Sequence, residues 1–161
     1  MQQVTHNKRK ERHEKMEELT LEKFEEASEI VSRVTLETKL KYSEYFSNQT
    51  GNKVYFKPEN MQYTGAYKVR GAYYKISQLS DEEKSHGVIA CSAGNHAQGV
   101  ALAATKNGIK SIICLPDGAP ISKVEATKGY GAEVCLVPGV YDDAYAKAIE
   151  LRDANGYTFI H

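Results

Sequence analysis

From Gly87 to the end of the chain, short apolar runs and helical segments take turns, and this alternation restricts the fold more than any other feature. The runs "GVIACS", "SIICLP", "AEVCLV" and "YTFIH" are rich in Val, Ile and Cys and lack strict polar alternation. Between them lie "NHAQGVALAATKNG", "ISKVEATKG" and "DDAYAKAIELRDANG", the first and last closed by Gly108 and Gly156. Strands without an exposed polar face, joined by roughly 10 to 15 residues of helix, predict βαβ units. The expected class is α/β, a parallel sheet with helices on both faces. Right-handed crossovers put every strand-to-helix loop on one edge, and ligands bind beyond the carboxyl ends of the strands. The loop after "GVIACS" is therefore the first to inspect.

Upstream the pattern is looser. From Thr20, Leu21, Phe24, Ala27, Ile30, Val31 and Val34 recur at spacings of three and four, which predicts a helix with an apolar face that must pack on something. "KVYFK", Lys53 to Lys57, reads as a short strand stopped by Pro58. Asn48-Gln49-Thr50 matches a glycosylation acceptor but, with no secretory signal beside it, reads as a loop. Ser80 and Glu83 have the spacing of a capping box, so a short helix should run from there to His86 and Gly87. Residues 1–18 carry many charges and few large apolar groups and are expected to form a flexible tail, with "KRKER" a solvated arm.

The 161 residues balance 21 basic against 21 acidic side chains, so no overall field draws nucleic acid or an anionic membrane. No apolar run approaches the roughly 18 residues of a membrane span, and the expected location is the cytoplasm. Cys91, Cys114 and Cys135 are far apart in strand-like runs, which suits buried thiols and neither a zinc site nor a disulfide framework; no metal site is expected.

Two stretches carry chemistry. In "TGAYKVRGAYY", Lys68 is either a solvated helix charge or an amine that reacts; burial and a neighbouring cation would favour its neutral form, but Arg70, two positions along a helix, points elsewhere. In "SAGNHAQG", Ser92, Ala93 and Gly94 have little bulk, Asn95 or Ser92 can cap the following helix, and a helix N-terminus favours an anion. An ordinary strand-to-helix turn fits the same spacing, and His96 alone fits a packing role.

Together with "KGYGAEV", these stretches identify a family. In "KPENMQYTGAYKVRGA", "SAGNHAQG" and "KGYGAEV" the chain resembles the threonine ammonia-lyases (threonine dehydratases), relatives of serine racemase among pyridoxal-phosphate enzymes of the tryptophan-synthase β fold. The resemblance implies that Lys68 holds pyridoxal 5'-phosphate as a Schiff base and that Tyr67 lies against the cofactor ring. It implies that Asn95 hydrogen-bonds the cofactor, and that Ser92, Gly94, Asn95 and His96 grip the substrate carboxylate. The implied reaction is β-elimination of L-threonine, or L-serine, to 2-oxobutanoate, or pyruvate, and ammonia. The implied partners are a small amino-acid substrate and, for the full-length enzyme, further copies of itself. Ala93 stands where racemases call for a hydroxyl, and His96-Ala97 where cysteine synthases carry Thr-Gly, so both relatives fit less well.

The departures define the remaining expectations. The glycine-rich run that cradles the cofactor phosphate has no counterpart, nor has the hydroxyl facing the pyridine nitrogen, and "VTLET" lacks the family's proline. The chain is accordingly expected to be the amino-terminal portion of an incomplete fold: residues 19–86 as the first elements of the larger domain, including the Schiff-base lysine, and 87–161 as the smaller α/β domain. Such a portion should be weakly active or inactive alone. The alternatives are a non-catalytic α/β fragment, an anion-binding module in which Lys68 is a surface charge, or, among enzymes, serine racemase.

Overall fold

The computed structural model describes residues 19–161, so the expected tail at 1–18 lies outside the described residues. The element order is α1 (Leu21–Ser32), β1 (Lys41–Tyr42), α2 (Glu44–Thr50), β2 (Tyr55–Phe56), a 3-10 turn at Glu59–Met61, α3 (Lys68–Ser77), α4 (Asp81–His86), β3 (Val88–Cys91), α5 (Asn95–Lys106), β4 (Ser111–Pro116), α6 (Ile121–Gly129), β5 (Glu133–Val137), α7 (Tyr141–Asn155) and β6 (Thr158–Phe159). Among the described residues no helix is long and apolar enough to cross a membrane.

The expected parallel sheet is present. Its order is β5-β4-β3-β6, and every neighbouring pair is parallel. Alternate residues of the central strands serve different cores, as a period of two requires. Val88, Ala90, Ile113 and Leu115 pack with α3, α5 and α6, whereas Ile89, Cys91, Ile112 and Cys114 pack with Ala144 and Ala148 of α7. With α5 and α6 on one face and α7 on the other, the chain moves outward from β3 to β5 and then returns to place β6 beside β3. The strand order reverses between β3 and β6, and a crevice at their carboxyl ends is the site such a sheet offers a ligand.

The three cysteines stand in register across β3, β4 and β5, Cys91 beside Cys114 and Cys114 beside Cys135. All are free thiols; Cys91 and Cys114 are buried and Cys135 partly so. Burial pushes Cys91 up, and burial together with the neighbouring Cys135 thiol pushes Cys114 up to about 12, so these groups behave as small apolar side chains.

The capping box forms as expected: Glu83 N donates to Ser80 Oγ at 3.2 Å, and Ser80 N donates to Glu83 Oε2 at 2.8 Å. Ser80→Ala removes the acceptor for one otherwise orphaned donor of α4 and should lower stability by about 1 kcal/mol in chemical denaturation.

The region before Lys68 departs from expectation in three ways. Asn48, Gln49 and Thr50 are the last turn of helix α2 and not a loop, because Ser43 caps its start and Gly51, at φ 70°, closes it. The strand expected over Lys53 to Lys57 shrinks to Tyr55–Phe56, paired antiparallel with Lys41–Tyr42. Helix α1 buries only Val31, with Val34 just beyond its end, while Leu21 and Phe24 are exposed. Its apolar stripe is therefore fully covered only near the carboxyl end, where Val31 and Val34 are buried.

Candidate functional site

Lys68 opens α3. The turn before it is closed by Gly65 N donating to Gln62 O at 2.9 Å, with Gly65 at φ 63°, a left-handed conformation that suits glycine. Tyr67 occupies the N-cap and makes no side-chain capping bond. Lys68 Nζ lies 5.5 Å from the centroid of the Tyr67 ring, within reach of a cation–π contact.

Arg70 does point elsewhere. Its Nε donates to Glu59 Oε2 at 2.8 Å and its Nη2 to Glu59 Oε1 at 2.9 Å, a two-pronged pair. The same carboxylate accepts from Thr38 Oγ1, and Arg70 also reaches Thr35 Oγ1 and the Leu36 carbonyl, each at 3.4 Å. The guanidinium bonds first, and the Thr38 hydroxyl after it, hold Glu59 down at about 2 against the opposing effect of burial. Gln62, buried, adds a second tie by pairing with both backbone groups of Leu36, at 2.8 and 2.9 Å. The turn at Glu59–Met61 thus clamps residues 35–38 to α3 and leaves the Lys68 amine without a carboxylate partner among the described residues.

Lys68, Gly71, Ala72 and Lys75 share one face of α3 at helical spacing and form one wall of a cleft of about 280 Å³. His96, Ile160 and His161 form the other wall, and Tyr67 stands at the rim. His96 begins at the carboxyl end of β3 and Ile160 follows β6, so the cleft lies at the strand-order reversal. His96 Nε2 is 3.1 Å from the Ile160 carbonyl oxygen, and Ile160 N donates to Ile89 O at 2.8 Å. That contact ties the start of α5 to the residue after β6 within one wall of the cleft.

The loop after β3 differs in detail from expectation. Gly94 is the N-cap of α5, with no side-chain capping bond, so neither Asn95 nor Ser92 caps the helix. Ser92 Oγ instead accepts from Gly94 N at 3.3 Å. Asn95 is the first helical residue and exposed, and no acidic side chain occupies the first turn. Free N–H groups there present a partial positive charge. The structure brings Tyr67, Lys68 and His96 to one cleft; Ser92, Gly94 and Asn95 sit beside it at the helix start and do not line it. Sequence reasoning missed Gly71, Ala72 and Lys75, which the spacing from Lys68 could have revealed, and His161, which only the sheet topology brings near.

A sequence profile described as "Pyridoxal-phosphate dependent enzyme" matches residues 31–161, most of the chain. The chain belongs to that family. The "L-threonine ammonia-lyase" of Thermotoga maritima is 47% identical over 143 residues, 89% of this chain and 36% of that protein. Among solved structures, the processed form of threonine deaminase isoform 2 from Solanum lycopersicum is 36% identical with a TM-score of 0.79, over 89% of this chain and 41% of that one. Maize serine racemase is 36% identical with a TM-score of 0.80, over 85% and 42%. The chain thus spans well under half the length of these relatives, and its parallel sheet with flanking helices matches the tryptophan-synthase β-like fold.

The side chains present fit the family's cofactor. An amine without a carboxylate partner among the described residues stands beside an aromatic face, and the cleft walls carry Lys75, His96 and His161, nitrogen groups that suit an anionic aromatic ligand.

Proposed function

We propose that the full-length protein is a threonine ammonia-lyase that eliminates water from L-threonine, or L-serine, to give 2-oxobutanoate, or pyruvate, and ammonia. The observation that carries this reading is Lys68 at the start of α3, beside Tyr67 and across the cleft from His96. Pyridoxal phosphate, when bound, forms a covalent link to an amine and draws electrons away from the substrate's Cα. Lys68 is the residue assigned to that link and, once displaced by the substrate amine, to taking the Cα proton. Tyr67 would supply an aromatic face for the cofactor, and Asn95 would donate an amide hydrogen bond to it. The Ser92–Gly94 turn and the first N–H groups of α5 receive the substrate carboxylate, with Ser92 and His96 at its flanks. The proton that Lys68 takes from Cα is returned to the β-hydroxyl, which departs as water, and the released enamine is hydrolysed to the keto acid and ammonia.

Ala93 favours elimination over racemisation. Its methyl group packs against the core cluster, and a methyl group cannot carry a proton to the opposite face of Cα. The division into a larger-domain portion at 19–86 and a smaller α/β domain at 87–161 belongs to the same proposal; the continuous sheet from β3 onward supports it. The full-length protein incubated with pyridoxal phosphate and L-threonine is expected to release 2-oxobutanoate and ammonia in equal amounts, with L-serine giving pyruvate. Interconversion of L- and D-serine without keto-acid release would replace this reading with the racemase.

A further inference from the structure

The helices that bear Lys68 and Asn95 meet at a point with no room for a side chain. Gly99 lies in the second turn of α5, and a methyl group built on it would stand 3.1 Å from the Lys68 carbonyl carbon, 3.1 Å from Val69 N and 3.3 Å from Lys68 Cβ. Carbon atoms pack comfortably at about 3.5 to 4.0 Å, so all three contacts are too close. None of these atoms is the tip of a flexible side chain, so no rotamer change relieves the overlap. The start of α3 would have to move.

Nothing else accounts for a glycine there. Its φ is not positive, and glycine is a poorer helix former than the alanines around it, Ala97, Ala101, Ala103 and Ala104, all buried in the same helix. Asn95 and Gly99 are four residues apart and share a face of α5. The first turn of α3 is meanwhile fixed by the Arg70 fork on Glu59, and Val69 within it is fully buried. The interval between the Lys68 backbone and the amino-terminal turn of α5 is therefore set by the missing side chain.

We infer that Gly99 is a positioning residue, whose lack of a side chain sets how closely Lys68 stands to the turn that bears Asn95. The inference rests on the reading of Lys68 as the cofactor-linked lysine. It predicts that substitutions at Gly99 act through geometry at Lys68 and not through loss of fold.

The test uses the full-length protein loaded with pyridoxal phosphate, in the series Gly99→Ala, Gly99→Ser and Gly99→Val. Two controls accompany it: Gly129→Ala, where a methyl group meets nothing within 4 Å, and Ala103→Gly, which weakens α5 without pressing on α3. A displacement of a few tenths of an ångström at a reacting amine is expected to lower kcat about tenfold for Gly99→Ala, more for larger side chains, with KM changing less. The pH midpoint of the bound cofactor's visible absorbance should shift in the same order, while the thermal midpoint of Gly99→Ala does not fall in step. Ala103→Gly should lower the thermal midpoint and leave the absorbance midpoint in place, and Gly129→Ala should leave both.

A Gly99→Ala protein with wild-type kcat and absorbance titration would overturn the inference. So would activity losses that merely track the folded fraction, with the surviving protein titrating as wild type. Gly99→Ala and Gly99→Ser decide the matter if Gly99→Val fails to fold. Borohydride reduction and peptide mapping of the wild type separate the two readings: a label away from Lys68 overturns both, whereas a label on Lys68 with unaltered Gly99 variants overturns this one alone.

Discussion

Lys68→Ala in the full-length protein abolishes the borohydride-trapped adduct with pyridoxal phosphate and lowers threonine deamination by about 10⁴-fold or more, the scale expected when a nucleophile and proton acceptor are lost together. Among the described residues that line the cleft, no other amine can replace it. Lys75 lies on the same face of α3, but seven residues along a helix is about 10 Å, too far for one amine to occupy the other's place. Lys68→Arg makes the test sharper, because guanidinium keeps the positive charge and the approximate length yet stays protonated and cannot condense with an aldehyde. If the site were only an anion cradle, Arg would preserve binding of a phosphate ligand and Ala would weaken it. If the amine reacts, Ala and Arg are equally inactive. An Arg variant that still turned over threonine, or an adduct that moved to Lys75 with activity intact, would remove Lys68 from the mechanism.

The parallel sheet was legible because its central strands, β3 and β4, are buried on both faces, so composition and length distinguish them from the helices between. Ser80 and Glu83 were legible for a local reason, since both halves of a capping box lie within one turn. The resemblance then named Lys68, Tyr67 and the Ser92–His96 loop, and the fold brought three of these residues to one cleft. What escaped was set by distant partners. Two-residue strands such as Lys41–Tyr42 exist only because Tyr55–Phe56 lies alongside, and their own sequence carries no period. The Glu59–Arg70 fork spans eleven positions, and the Gln62 pairing with Leu36 spans twenty-six, so neither has a local signature. Asn95 was a good N-cap residue by type, but the chain begins the helix at Asn95 itself and leaves Gly94 as the cap. That shift frees the Asn95 amide from capping. Gly99 was invisible for the opposite reason, since a missing side chain signals its purpose only once the neighbouring backbone is in place.

The Glu59–Arg70 pair should give this site a distinctive response to acid. Glu59 is held at about 2 in the folded chain against an ordinary value of 4.5, chiefly by the Arg70 hydrogen bonds and also by the Thr38 hydroxyl. A carboxylate whose value falls on folding contributes stability that is complete above 4.5 and disappears as pH drops towards 2. The Glu59 side chain is 16% exposed, so solvent screens the pair only in part, and a contribution of about 2 kcal/mol at neutral pH is expected. Glu59→Gln should therefore lower the full-length protein's stability in urea by about that amount at pH 7 and by much less near pH 2, where the native carboxylate is itself becoming neutral. Arg70→Ala should cost more, about 3 kcal/mol, because it leaves Glu59 charged in a place built around a guanidinium. A double-mutant cycle between the two positions measures the coupling, and additive losses would show that the fork contributes only shape. Because Arg70 lies half a turn from Lys68, the same substitutions should loosen the first turn of α3 and lower kcat more than KM. A Glu59→Gln protein with an unchanged acid limb would mean that the low carboxylate value does not reflect the fork.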